Sequence, residues 1–346
     1  MNKRASHEID SEALGRRLAD HVAGFADRRV VVLGDMLADE FLYGDIARIS
    51  REAPVLILEH RATVAVPGGA ANSVTNLRAL GAHPLPVGVV GDDEPGHRLV
   101  ATFREMGVDT DGLRIVDGHE TPSKCRVLAG GVHTRRQQIV RIDRGGQRKE
   151  LSTKVRSAIR GRLRSLVGSA EGVMIADYGY GAASPKVVES LLPRWTARGL
   201  CVTADSRGRI SEFRGIGACT PNQEELEQAL GVEALPDEQV EAAGRRLLRR
   251  TGNRAVLVTR GAKGMVLVRP RVPPLTIPAY GTDEVADVTG AGDTVISVFT
   301  LALLAGADYA DAARLANYAA GIVVTKAGTA TTSRVELTRA IREDLA

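Results

Sequence analysis

The 346-residue sequence predicts an α/β fold: a mostly parallel central sheet covered by helices on both faces, with a small β lid. Three observations carry the prediction. From about residue 151, apolar runs alternate with helical stretches, the pattern of a parallel sheet buried on both sides. The run RVVVLGD (29–35) is β-branched and ends in Gly-Asp, as buried strands do. Two separated stretches, roughly 40–66 and 121–142, hold short alternating segments instead, which read as an antiparallel sheet with one face wet.

Taken in order, a polar helix is expected over 11–26, as an N-terminal extension (1–27) to one large domain (28–346). After the strand at 29–35 come LILEH and TVAVP of the lid, a helix at 69–80, a strand at 85–91 and a helix at 94–106. SKCRVLAGG and RRQQIVRID return to the lid. A helix at 151–168 then leads to GVMIAD (172–177), a helix at 185–198 to LCVTAD (200–205), and GACTPN (217–222) to a helix at 223–230. A helix at 237–251 leads to AVLVTRG (255–261) and GMVLVRP, and two long helices follow at about 290–305 and 309–327.

Composition narrows the function. Aromatics are 3%, too few for the stacking surfaces of a single-strand nucleic-acid binder. The net charge of +4 is dispersed, mostly as Arg on helices such as GRRLLRR (244–250), so it reads as solvated helix faces and is compatible with anionic substrates. Neither a nucleic-acid nor a membrane partner is expected. Cys125, Cys201 and Cys219 form no CxxC pair and read as reduced thiols of a cytoplasmic protein. The N-terminus is too polar for a signal peptide, and no run of about 18 apolar residues occurs.

Five motifs carry candidate chemistry. DVTGAGDT (287–294) sits directly before a helix. The small residues Gly290, Ala291 and Gly292 expose backbone N–H groups at a helix N-terminus, an anion site. Asp293 beside it is placed to take a proton from an attacking hydroxyl. A plain tight turn with Asp293 as a cap is the alternative for the motif alone. Asp287 suggests holding the loop. In VPGGAAN (66–72), Gly68 and Gly69 permit close backbone approach and Asn72 offers donor and acceptor to a polyol; an ordinary helix start is the alternative. In LGDMLAD (33–39), Asp35 and Asp39 follow a strand's carboxyl end and either bind vicinal hydroxyls or cap a loop. In TPNQEEL (220–226), Asn222 and Glu225 either serve an ion through its waters or form an N-cap. In VTRGAKG (258–264), Thr259, Gly261 and Gly264 either line a nucleotide phosphate or make a hairpin turn.

No GxxxxGK[ST] occurs, which argues against a P-loop ATPase. GVMIADYGYGAAS (172–184) competes as a dinucleotide fingerprint, with Asp205 about 20 residues on, but it lacks the third glycine. Asp177 there reads better as facing a sugar at the sheet edge.

Together, in this order and spacing, GD (34–35), PGGAAN (67–72), TPNQEE (220–225), TRGAKG (259–264) and DVTGAGDT resemble the ribokinase-like, PfkB-type carbohydrate kinases over roughly 28–340. Within them, YGDIARISREAPVLILE (43–59), TPSKCRVLAGG (121–131), RQQIVRID (136–143), ADYGYGAAS (176–184) and ADSRGRISEFRGIGACTPNQEE (204–225) resemble the D-glycero-β-D-manno-heptose-7-phosphate kinases. The resemblance implies a ribokinase-like three-layer fold and transfer from ATP with Mg2+ to the anomeric hydroxyl. A monovalent cation is left open as a further cofactor, with Asp287 beside it. Asp293 would be the base and Gly290, Ala291 and Gly292 the anion hole. Asn222 and Glu225 would serve ATP and magnesium, Glu225 through water. Thr259, Gly261 and Gly264 would line the nucleotide, with Asn317 near adenine. Asp35, Asp39, Gly68, Gly69 and Asn72 would hold the sugar, and the lid would form a homodimer interface. A phosphorylated substrate needs a basic clamp, for which Lys124, Arg126, Arg135, Arg136 and Arg141 are available, each otherwise a solvated strand charge. Two departures stand out: Tyr180 where that subfamily has Lys in a DYGKG turn, and Asp205-Ser206-Arg207-Gly208 where it has DPKG. Without a nucleotidyltransferase segment in the sequence, a stand-alone kinase is expected.

Overall fold

The computed structural model describes residues 2–130, 136–145, 150–281 and 285–345. Helix α1 (Asn2–Ala23) leads into β1 (Arg29–Gly34), and the chain runs on at once into β2 (Met36–Ile49) and back along β3 (Leu56–Gly69). Then come α2 (Ala70–Ala79), β4 (His83–Gly91), α3 (Glu94–Glu105), β5 (Leu113–Val116), β6 (Ser123–Gly130) and β7 (Gln137–Arg144). The alternating part comprises α4 (Thr153–Leu166), β8 (Gly172–Asp177), α5 (Pro185–Val188), α6 (Leu192–Ala197), β9 (Cys201–Ser206), β10 (Ala218–Cys219), α7 (Gln223–Leu230), α8 (Val240–Thr251) and β11 (Ala255–Thr259). It closes with β12 (Met265–Val268), β13 (Leu275–Ile277), α9 (Ala291–Leu304), α10 (Tyr309–Val324) and α11 (Arg334–Leu345).

Among the described residues, nine strands form one sheet in the order β13-β12-β11-β10-β9-β8-β1-β4-β5. It is parallel from β11 to β5, and only the β11–β12–β13 edge is antiparallel. Successive residues of β1 serve opposite faces, as strand geometry requires. Val30 and Val32 enter the core shared with α2, α9 and α10, while Val31 and Leu33 enter the core shared with α4, α7 and α8. Both faces are therefore covered, which is why the strands read as unbroken apolar runs.

The second sheet, β3-β2-β6-β7, is the lid. It differs from expectation in one respect: β2 pairs with β6 in parallel, so the lid is mixed. The two insertions leave the same carboxyl edge of the main sheet, after β1 and after β5, and so run outward side by side. That register sets Asp39 beside Lys124 and Phe41 beside Arg126, on the face turned to the main sheet's edge.

Other differences are local. The helix expected over 185–198 is two short ones, α6 starting at Leu192-Pro193. The strand expected at 217–222 pairs over only Ala218–Cys219. β5, β13 and α11 were not expected; the strands are three or four residues long and α11 has no apolar run of its own. The N-terminal helix is tied to the domain: Leu18 and Val22 are fully buried, and Arg17 donates to both Asp311 oxygens at 2.6 and 3.2 Å.

Candidate active site

The carboxyl edge of the sheet, the lid and the start of α9 enclose a cavity of about 430 Å3. Its lining includes Asp39, Gly69, Lys124 and Arg126 from the lid side, and Asn222, Glu225 and Thr259 from the far end. Gly290, Gly292 and Asp293 stand between them, with Tyr178, Asp205, Arg207 and Thr220 completing the wall. The cavity thus holds residues from all five motifs, and Asn72 reaches it through its bond to Asp293.

Asp293 lies in the first turn of α9 and is 3% exposed. Its Oδ2 accepts from Asn72 Nδ2 at 3.0 Å and its Oδ1 from the Tyr178 hydroxyl at 2.6 Å. Burial raises its pKa to about 6; the bonds from Tyr178 and Asn72 oppose the shift. Asn72 is itself oriented: its Oδ1 accepts from Asn76 Nδ2 at 3.1 Å, and Thr294 Oγ1 donates to Asn76 Oδ1 at 2.9 Å. A base with a pKa near neutrality, in a fixed rotamer, at a cavity wall is suited to general-base work.

Helix α9 begins after Gly290, whose φ is 80°. The Ala291 N–H donates to Val288 O at 3.2 Å, so it closes a turn. Among the described residues the Gly292 and Asp293 N–H groups have no protein acceptor. A Cβ at Gly292 would stand in open space, so nothing fills the approach to these amides. Two unpaired donors at a helix N-terminus are an arrangement able to take an anion; of the three residues expected there, Ala291 has its N–H committed to the turn.

Asp35 and Asp39 separate in space, and it is Asp39 rather than the strand-end Asp35 that lines the cavity. Asp39 faces the cavity and is held by Arg126 Nη1 at 2.7 Å and by Thr329 Oγ1 at 3.3 Å. A Cβ on Gly68 would collide with the Asp39 carboxylate, which accounts for that glycine. Asp35 is 2% exposed and accepts three backbone N–H groups, from Tyr178, Tyr180 and Ala182, each at 2.9 Å. It pins the 178–182 turn from beneath. Burial, then the nearby Asp177, raises its pKa to about 6. The dinucleotide alternative meets its physical obstacle here, because the amides that would hold a pyrophosphate are committed to Asp35.

Asp177 is buried behind the same turn. It pairs with the Arg209 guanidinium through both oxygens and accepts from Ser206 Oγ at 2.6 Å and Gly179 N at 3.1 Å. Removing Arg209 would leave a buried carboxylate without its counter-charge. Arg209→Ala is expected to lower unfolding free energy by about 3 kcal/mol, the low end for a broken buried pair because Arg209 is partly open to solvent. Urea denaturation measures it.

Asn222 and Glu225 form a reciprocal cap on α7: Glu225 N donates to Asn222 Oδ1 at 2.8 Å, and Asn222 N to Glu225 Oε2 at 2.9 Å. Both still line the cavity. Gly261 and Gly264 lie in the turn between β11 and β12, and Asn317 donates to Pro278 O at 2.8 Å; none of the three lines the cavity. Arg136 pairs with Asp45 at 3.6 Å and Arg141 with Asp143 at 2.8 and 3.0 Å, both at the lid surface. Arg135 lies outside the described residues.

The residues not assigned from sequence are Tyr178, Asp205, Arg207 and Thr220. Asp205 is the last strand carboxylate before the edge, a position where open α/β sheets bind ligands. Burial, then Glu225 and Asp293, push its pKa well above the ordinary carboxylate range, and Glu225 is raised by burial too. Two neighbouring carboxylates whose shifts Arg207 only partly opposes are hard oxygen donors of the kind a divalent cation takes. Mg2+ keeps several waters, so two carboxylates fit it without a larger cluster; no group of three or more acidic, His or Cys ligands occurs among the described residues.

A base beside free helix-start amides, under a small β lid at the carboxyl edge of a sheet, defines a phosphotransfer cleft of the sugar-kinase type. The chain belongs to the pfkB family of carbohydrate kinases, whose model matches residues 27–336. It is 40% identical over 317 residues to the "Bifunctional protein HldE" of Desulfatibacillum aliphaticivorans, covering 91% of this chain and 63% of that one. It is 41% identical over 316 residues to the protein of that name from Azotobacter vinelandii, covering 91% and 64%. The chain thus spans somewhat under two thirds of the length of these curated relatives. Its fold is ribokinase-like. Arabidopsis thaliana ribokinase, complexed with ribose and ATP, superposes with a TM-score of 0.69 at 22% identity over 92% of this chain and 99% of that one. Escherichia coli phosphofructokinase-2 in complex with potassium superposes with a TM-score of 0.71 at 17% identity, with the same coverage. No helix among the described residues is long and apolar enough to cross a membrane.

Proposed function

We propose that the chain transfers the γ-phosphoryl group of ATP to the anomeric C1 hydroxyl of D-glycero-β-D-manno-heptose 7-phosphate, giving the 1,7-bisphosphate used in ADP-heptose formation in the cytoplasm. The observation that carries the reading is Asp293, fixed by Asn72 and Tyr178 at a cavity wall beside unpaired amides. Asp293 takes the C1 proton as the C1 oxygen attacks the γ-phosphorus in line and ADP leaves. The Gly292 and Asp293 amides stabilise the charge on the transferring phosphoryl oxygens. Asp39 and the backbone at Gly68 and Gly69 hold sugar hydroxyls. Thr259, with the 261–264 turn, borders the nucleotide. When bound, Mg2+ neutralises phosphate charge, and Asp205 and Glu225 are the residues that would hold it through water.

The deciding experiment is incubation with Mg-ATP and a panel of sugars and sugar phosphates, read by phosphorus NMR. A new anomeric phosphate signal from the heptose 7-phosphate supports the proposal. Turnover of a ketose or ketose phosphate and not of the heptose phosphate overturns it in favour of the second reading. That reading is favoured by Tyr180 and Arg207, the two departures from the subfamily pattern, of which Arg207 lines the cavity.

The pH dependence follows from the base. Asp293 must be ionised, so kcat/KM is expected to rise with pH through about 6 and level off above it. Unfolding does not explain the acid loss. Asp35 and Asp293 have folded pKa values near 6, above their unfolded values, so they contribute stability that grows as pH falls from about 6 towards 4. A flat profile from pH 5 to 8 would count against Asp293 as base.

The lid also supports a homodimer. On the face opposite Lys124, Val140 and Ile142 are 47% and 44% exposed, and they pair with Val127 and Cys125. Exposed apolar surface of this kind marks an interface. Val140→Asp with Ile142→Asp is expected to convert a dimer to a monomer in analytical ultracentrifugation; a wild type already monomeric at micromolar concentration would refute the dimer.

A further inference from the structure

Two segments hold the base, and both trace back to one residue outside the cavity. The first is the turn after β8, whose Tyr178 hydroxyl donates to Asp293 Oδ1 at 2.6 Å. The second is the first turn of α2, where Asn72 Nδ2 donates to Oδ2 at 3.0 Å and Ser73 Oγ to Oδ1 at 3.4 Å. They meet where β1 ends. A Cβ on Gly34 would collide with Ala70 Cβ and Ala176 O, so α2 and β8 both close on the chain at that point. Asp35 then reaches both. Its backbone O accepts from the N–H of Ala70, which begins α2, at 3.2 Å, and its backbone N–H donates to Ala176 O at 3.2 Å. Its carboxylate accepts the N–H groups of Tyr178, Tyr180 and Ala182, each at 2.9 Å. A buried carboxylate needs its hydrogen bonds, and these three amides supply them. The turn is thereby held to one shape.

Resting on the proposed kinase reading, we infer that Asp35 is a positioning residue of the phosphoryl transfer: its carboxylate fixes the 178–182 turn and, through that turn, sets the Tyr178 hydroxyl on Asp293 Oδ1. Asp35 lies outside the cavity lining, so it acts through Tyr178 and not on the ligands. The turn needs an anchor of this kind. Gly179 and Gly181 have φ of 88° and 108°, and a glycine-rich backbone supplies little rigidity of its own. Asparagine cannot replace the anchor. Oδ2 takes the Tyr178 and Tyr180 amides and Oδ1 the Ala182 amide, so an NH2 group in either place faces a donor. The Asn72 arm is different, because it hangs from the Asp35 backbone, which a side-chain substitution leaves in place. A shift of about 1 Å at the reacting groups can cost on the order of 10²-fold in rate, so a buried anchor one turn away has a direct kinetic reading.

Two double-mutant cycles test this: Asp35→Asn with Tyr178→Phe, and Asp35→Asn with Asn72→Ala. They are run at pH 8, where Asp35 and Asp293 are both ionised, with melting curves to confirm folding. Tyr178→Phe is expected to lower kcat about tenfold or more, the worth of one hydrogen bond to a charged group. Asp35→Asn should lower it by a similar factor, with KM for ATP and for the sugar held. The Asp35→Asn/Tyr178→Phe double variant should be no slower than the slower single one, whereas the losses should multiply in Asp35→Asn/Asn72→Ala. A merely structural Asp35 multiplies in both cycles. That result overturns the inference, as does wild-type kcat in Asp35→Asn. Should Asp35→Asn not fold, Gly181→Ala distorts the same turn through its own backbone and is expected to give the same pattern in the two cycles. Hydrogen exchange reads the anchor without activity. The Tyr180 and Ala182 amides should be protected in wild type and lose protection in Asp35→Asn; no protection in wild type, or unchanged protection in the variant, overturns the anchor. The kinetics are read on whichever sugar of the panel is turned over, so a wrong sugar and a wrong relay give different results. Lost protection in a protein that phosphorylates no sugar of the panel would overturn the kinase reading and leave the anchor standing.

Discussion

Asp293→Asn is expected to lower kcat by about 10²–10⁴-fold, the usual contribution of a positioned general base, with little change in KM for ATP. Asparagine has the same shape and fits the same pocket. What changes is the ability to accept a proton. The effect on folding is a balance of two terms. The substitution sets an NH2 group against a donor, either Asn72 Nδ2 or the Tyr178 hydroxyl, which costs about 1–3 kcal/mol. It also removes a buried carboxylate whose burial already raises its pKa to about 6, a destabilising charge at neutral pH. The terms oppose and are of similar size, so the melting temperature should move by only a few degrees. The variant should also lose the acid limb of the pH profile. Retention of near-full rate would remove Asp293 from the mechanism; Asp39 is no ready substitute, being already paired with Arg126.

How far the site could be read in advance depended on whether a residue's partners were local. DVTGAGDT carries its own geometry: small residues, a helix start and a carboxylate one turn in, all within eight positions. The Asn222–Glu225 cap is equally local, being three residues apart. Asp35 and Asp39 were indistinguishable, because what separates them is far along the chain. The turn that occupies Asp35 comes 143 residues later, and the cation that holds Asp39 comes 87 residues later. Tyr178 gave no signal at all. Its role exists only because β8 ends opposite the start of α9, which no spacing within 172–184 encodes. The same limit explains the lid. Alternation showed strands with one wet face, but the parallel pairing of β2 with β6 follows from where the insertions leave the main sheet. The central strands β4, β8 and β10 were legible because they are buried on both faces and followed by a helix, so local pattern and tertiary environment agree.

The electrostatics of the cleft have a common physical origin. Asp35, Asp205 and Asp293 are all raised by burial, and Asp205 is raised further by Glu225 and Asp293. Arg207, which follows β9, opposes the upward shifts of Asp205, Glu225 and Asp293, while Lys124 stands on lid strand β6 across the cavity. On the proposed reading, a cation-bearing nucleotide and an anionic sugar would supply counter-charges to these groups.

Gly290→Ala is expected to lower kcat by about 10²–10³-fold, comparable to losing an oxyanion donor, and to destabilise the protein by about 1–3 kcal/mol. Two independent constraints act at this position. Its φ of 80° lies in the left-handed region, which an alanine adopts at a cost. A Cβ there would also collide with Asn72 Nδ2 and press on the Thr329 methyl at 3.0 Å. Asn72 is the group that holds Asp293 Oδ2, and its own carbonyl is tied to Asn76, so it has little room to retreat. The substitution therefore moves the base and the start of α9 together. Gly292→Ala is the control. Its Cβ meets nothing within the protein, so stability should hold, but the methyl group occupies the open approach to the amides. The prediction separates the two: Gly290→Ala loses stability and kcat together, whereas Gly292→Ala loses ATP turnover with an unchanged melting temperature. If Gly290→Ala keeps its rate, Asn72 does not govern the position of Asp293, and the base is held by Tyr178 and Ser73.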